Sequence, residues 1–161
     1  MKKAIAFSGP SNSGKTTIIE KIIQKLSPTY KITAIKHDPK DKAIFDVEGK
    51  DSYKFFNAGA NVIVTSPKKS AIFYHYELEF EALIKQAGDV DIVIIEGLKH
   101  FPLNRIGIFR GKYEESYTHC LKAVAIDDTI NKDEIPSHLD ILDLNNTDMI
   151  IEWILKNGTT I

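Results

Sequence analysis

Residues 9–17, GPSNSGKTT, set two glycines, a lysine and two threonines in the order GxxxxGK[ST], directly after the short apolar run AIAF. That is the pattern of a phosphate-binding loop. Gly9 and Gly14 free the backbone, so that the N–H groups of a loop carrying Ser11, Asn12 and Ser13 can wrap an anion. Lys15 adds a cation, Thr16 a hydroxyl for Mg2+, and Thr17 continues into a helix whose positive dipole end faces the same phosphates. Gly9, Ser11, Asn12, Ser13, Gly14, Lys15, Thr16 and Thr17 are therefore the predicted nucleotide-binding residues.

A magnesium site needs an acid near Thr16, and in parallel sheets ligands collect at the carboxyl ends of the strands. Asp91 and Glu96 flank the apolar run DIVIIE. Asp91 opens it and falls about 16 Å from that end, at about 3.3 Å per residue. Glu96 closes it and is the predicted metal partner and catalytic carboxylate, with Gly97 as the turn behind it. His37 and Asp38 follow another strand-like segment. Asp38, Asp41 and Asp46 share their loop with His37 and Lys50, and two readings stand: a group that positions a water or second substrate, or a solvated charged loop.

The base is harder to read. NKDE, at 131–134, imitates a guanine-reading Asn-Lys-x-Asp, but Glu134 replaces the aspartate and the stretch starts five residues beyond the nearest strand, so it is a decoy. Asp127, just past KAVAI, is better placed to accept hydrogen bonds from guanine; a turn residue in DDTIN is the equal alternative. Arginine is scarce, with only Arg105 and Arg110 among 21 Lys and Arg. An arginine-bearing lid over a transferring phosphoryl group is therefore not visible. Both arginines sit in RIGIFR, read as an edge-like strand whose alternation turns them to opposite faces.

These residues need a frame. Ile18, Ile19, Ile22, Ile23 and Leu26 recur at helical spacing behind the loop, and Pro28 stops the helix. KITAIK (31–36), NVIVTS (61–66), DIVIIEG (91–97), RIGIFR (105–110), KAVAI (122–126) and ILDL (141–144) read as strands, with a further apolar run at 71–76. DSYKFFNAGA (51–60), EFEALIKQAG (79–88) and a closing segment with Ile150, Ile151, Trp153, Ile154 and Leu155 read as helices. The alternation predicts an α/β, P-loop NTPase-like fold with a mostly parallel sheet and helices on both faces, in one domain over 1–161. The 14 residues from His37 to Lys50 form the longest stretch without a period.

Net charge of −1 gives no argument for nucleic acid or an anionic membrane. The lone Cys120 excludes an internal disulfide framework and fits a reducing cytoplasm. No apolar stretch reaches the roughly 20 residues of a membrane span.

GPSNSGKTT, IKHD followed by GKDSYKFFNAGA, DIVIIEGLKHFP with RIGIFR, and AVAIDD together resemble the molybdopterin-guanine dinucleotide biosynthesis protein B family, MobB. The resemblance spans nearly the whole chain in order. It implies a P-loop protein that binds GTP with Mg2+, hydrolyses it slowly if at all, forms homodimers, and serves the nucleotidyltransferase that joins GMP to molybdopterin; molybdopterin itself is a candidate second partner. It implicates residues 9–17, Lys50, Asp51 and Ser52, Glu96 and Gly97, and Asp127. The departure is DPKDKAIFDVEGK at 38–50, where Glu48 stands in place of an expected proline and histidines are few. Competing readings are a small-molecule kinase or ATP-dependent ligase on the same scaffold, and a metallochaperone-like NTPase using His37, His75, His100, His119 and Cys120.

Overall fold

The computed structural model describes residues 1–117 and 120–161; His119 lies outside the described residues. The chain forms two compact units, one of Met1–His37 with Ile84–Ile161 and the other of Asp38–Leu83.

The larger unit carries β1 (Lys3–Ser8), α1 (Lys15–Leu26) and β2 (Ile32–Lys36) before the insertion of the smaller one. In the smaller unit lie α2 (Asp51–Asn57), β3 (Val62–Thr65) and β4 (Ser70–Phe73), and α3 (Phe80–Gln86) runs across the boundary. The larger unit then continues with β5 (Ile92–Glu96), β6 (Arg105–Phe109), β7 (Leu121–Ile126), β8 (Asp140–Asp143), α4 (Thr147–Asn157) and β9 (Thr159–Thr160).

The main sheet runs β2-β5-β1-β6-β7-β8, all parallel, with β9 antiparallel to the start of β1. Its inner strands are apolar at nearly every position because both faces are covered, and β1, β5 and β6 are almost wholly buried. On one face, α1 lays Ile18, Ile19, Ile22 and Leu26, a stripe at helical spacing, beside Ile150, Trp153 and Ile154 of α4. α4 starts where the Asn146 side chain accepts the Met149 N–H at 3.0 Å, and Gly158 follows its last turn. On the opposite face, over β6 and β7, Phe109, Val124 and Ile126 pack under Tyr113, Ile130, Ile135 and Leu139 from the connecting segments.

Two sequence expectations are corrected. RIGIFR is no edge: β6 lies between β1 and β7, and all five of its residues are buried. NVIVTS does not join the parallel sheet: β3 pairs antiparallel with β4, from Val62 opposite Phe73 to Thr65 opposite Ser70. Only residues 66–69 separate them, too few for the crossover that parallel neighbours require.

Candidate functional site

β1 delivers the phosphate loop to the carboxyl edge of the sheet. Gly9 (φ 142°), Asn12 (φ 63°) and Gly14 (φ 93°) all have positive φ, which folds the loop back before α1 begins. A side chain at Gly9 would overlap the Ile108 carbonyl of β6, so the loop seats on the neighbouring strand only with glycine there. Gly14 caps α1 without any side-chain hydrogen bond, and the first turn of α1 holds no acid. The N-terminus therefore keeps its positive end for an anion.

Lys15 folds over this loop, donating from Nζ to the carbonyls of Gly9 (2.9 Å) and Pro10 (2.6 Å). Burial holds its ammonium below the usual lysine value, the field of Glu96 opposes that shift, and Lys36 and Lys99 add to it. Glu96 ends β5 level with Phe7 of β1 and Lys36 of β2, at the edge that carries the loop. Asp91 sits at the other end, its Oδ2 accepting the Lys31 N–H at 2.8 Å. Thr16 and Thr17 are exposed on the first turn of α1.

A Mg2+ ion takes one or two carboxylates together with phosphate oxygens and water. The donor set fits it: Thr16 and Glu96 are brought by adjacent strands to one edge, beside a loop whose Ser13 hydroxyl is buried without a hydrogen-bond partner. Ser8, at the mouth of the loop, is likewise buried with an unpartnered hydroxyl.

Behind Glu96 the chain turns sharply. Gly97 (φ 97°) and Leu98 (φ 47°) are consecutive left-handed residues, and a Cβ at Gly97 would come within 3.1 Å of His37 Cβ. Arg105 grips this turn, donating to the carbonyls of Gly97 (2.7 Å) and Leu98 (2.8 Å). Arg105 is 1% exposed, and burial lowers its guanidinium pKa, the field of Cys120 opposing. Its side chain is enclosed by the fold and does not reach solvent.

Arg110 and Asp127 meet at the ends of β6 and β7, with Nη1 and Oδ2 3.1 Å apart. Asp127 also accepts from the Thr129 hydroxyl and from the Thr129 N–H at 3.2 Å. The Thr129 hydroxyl bond is the main cause that holds its carboxyl below the usual aspartate range; burial opposes it, and the Thr129 and Gly111 N–H groups and Arg110 reinforce it. Asp127 is buried and engaged by its own chain. The decoy NKDE is a single-turn helix capped by Asn131, whose Oδ1 accepts the Asp133 N–H at 3.0 Å.

In the smaller unit, Asp38 accepts the N–H groups of Lys40, Lys42 and Ala43 and thereby shapes its own loop. Asp46 accepts the Val47 N–H, Lys50 is the N-cap residue of α2, and Asp51 pairs with Lys54 at 3.4 Å, with Ser52 beside it in the first turn. His75 stacks on Phe56 at 3.8 Å. Among the described residues, no group of three or more His, Cys, Asp or Glu could hold a metal ion. Sequence reasoning passed over Lys36 and Lys99; the signal was their place at, and three residues beyond, strand ends already assigned to the site.

The family model for "Molybdopterin guanine dinucleotide synthesis protein B" matches residues 4–128. The chain belongs to this family. The match runs from β1 through the phosphate loop to Asp128. The molybdopterin-guanine dinucleotide biosynthesis adapter protein of Escherichia coli is 30% identical, over 96% of this chain and 94% of its own length. The crystal structure of Bacillus subtilis MobB superposes with a TM-score of 0.76 over 99% of both chains, at 22% identity. The hydrogenase maturation factor HypB of Archaeoglobus fulgidus shares the fold more distantly, with a TM-score of 0.51 at 18% identity, over 96% of this chain and 87% of its own.

Proposed function

We propose that this MobB-family chain is a GTP-binding adaptor in molybdenum cofactor biosynthesis. It supports the cytoplasmic nucleotidyltransferase that attaches GMP to molybdopterin, and its own Mg2+-dependent GTPase is slow. The observation that carries the reading is the phosphate loop with Lys15 folded over it and Glu96 at the same sheet edge. Mg2+ bound at this edge would supply neutralisation of the phosphate charge. Thr16 and Glu96 would hold it, and Lys15 would exchange its two carbonyl partners for phosphate oxygens.

Slow turnover follows from what surrounds the loop. Arg105 is spent on the carbonyls of Gly97 and Leu98, and Arg110 on Asp127, so neither serves as the finger that contributes about 10³ to 10⁵ in rate. Family membership supports guanine as the base, while the Asp127 carboxylate already has partners within the chain. The homodimer has support in the smaller unit, where Ile44, Phe45, Val47, Phe55, Ile63 and Ile72 stand exposed.

The test is nucleotidyl transfer by the purified nucleotidyltransferase with and without this protein, at fixed GTP and molybdopterin. Faster or more complete dinucleotide formation is expected with wild type and not with Lys15→Ala. Equal stimulation by both, or by neither, contradicts the adaptor reading.

A further inference from the structure

A second lysine, outside the loop motif, follows the strand that ends in Glu96. Lys99 lies three residues beyond Glu96, past the left-handed pair Gly97–Leu98. Its Nζ stands 4.2 Å from the centroid of the Tyr117 ring, a cation–π distance. Tyr117 itself packs edge-on against Phe109, the last residue of β6, with centroids 6.4 Å apart. β6 is the strand on which Gly9 seats. Lys99 is thus parked beside the strand on which the loop seats, on a half-buried ring and without a carboxylate at its Nζ in any described ion pair.

The segment that presents it is fixed from behind. The Arg105 guanidinium takes the carbonyls of the two residues immediately before Lys99, and a buried fork of this kind costs little further entropy to hold its partners. The Lys99 backbone is anchored by its neighbours while its four-carbon stem stays exposed. A lysine ammonium serves as a point charge for phosphate when it arrives on such a stem.

We propose that Lys99 is the γ-phosphate-sensing cation of this site: it rests on the Tyr117 ring when no nucleoside triphosphate is bound and moves to the terminal phosphate when one is. The role rests on the nucleotide-binding reading above and deepens it. Lys15 serves the loop whichever nucleotide occupies it, whereas Lys99 answers only to the third phosphate. The Lys15 environment agrees, since Lys99 is among the cations whose field it feels.

The experiment is titration calorimetry with Mg2+ and four probes, GTP, GDP, ATP and ADP, on wild type, Lys99→Met and Lys99→Arg. Methionine keeps the apolar stem, and because Lys99 is exposed the fold is not at risk. Lys99→Met is expected to weaken the preferred triphosphate about tenfold, the scale of one charge-assisted contact, while its diphosphate binds as to wild type. Lys99→Arg is expected to restore most of the discrimination, since it returns the charge. Equal weakening of di- and triphosphate by Lys99→Met would assign the lysine to general attraction and overturn the proposal. So would no change with either. Wild type that binds none of the four nucleotides overturns the nucleotide reading itself, and this role with it.

Discussion

Lys15 and Glu96 divide the work at the phosphate edge, and substitutions separate them. Lys15→Ala removes a charge whose partners in the absence of nucleotide are two loop carbonyls, so the fold should stand while nucleotide affinity falls at least about tenfold. Calorimetry on the folded variant checks this. Glu96→Gln keeps the shape and removes the charge, so nucleotide should still bind but with little dependence on Mg2+. Asp91→Asn is the control, because Asp91 lies at the far end of the same strand. Equal defects in the two would place the metal elsewhere. Asp127 is a stability residue by its contacts. Its carboxyl is held below the unfolded aspartate value, so the folded chain binds fewer protons. The stabilisation is complete above pH of about 3.9 and fades as pH falls through the lower folded-state value. Asp127→Asn should cost about 2 kcal/mol at neutral pH, a gap to wild type that closes in acid; denaturation at several pH values reads it.

Among the elements, the strands and helices were legible because their periods were clean, whereas their neighbours were not. Alternation alone says that Arg105 and Arg110 face opposite ways; it does not say that β6 lies between β1 and β7, since strand order is set by crossovers that leave no local mark. Burial of Arg105 was therefore invisible in RIGIFR. The hairpin was missed for a related reason: VIVT suits a buried parallel strand as well as β3, and only the short link of residues 66–69 decides. Gly107 shows how tightly β6 sits. A Cβ there would stand 2.7 Å from both Leu121 Cδ1 and Phe109 Cε2, so Gly107→Ala should cost about 1–3 kcal/mol in thermal or denaturant unfolding. An unchanged midpoint would mean that β6 and β7 pack more loosely than described.

At the scale of the whole molecule, the two units differ in how they are covered. The larger buries two apolar clusters around a central sheet, while the smaller leaves large side chains in solvent, Ile63 at 71% and its cross-strand partner Ile72 at 42% exposed. A two-stranded sheet is rarely stable by itself, and this exposed apolar face is the surface that the proposed homodimer would bury. Light scattering should report a mass about twice 18.1 kDa for wild type, and one chain mass for Ile63→Lys with Ile72→Lys. A monomeric wild type would remove the homodimer from the account. The central claim, a loop built to hold GTP, meets its most direct test in a calorimetric titration of wild type with GTP and Mg2+ beside Lys15→Ala. Saturable one-site binding by wild type, weakened at least about tenfold in the variant, is the expected result. Absence of binding, or equal binding by the two proteins, would contradict it.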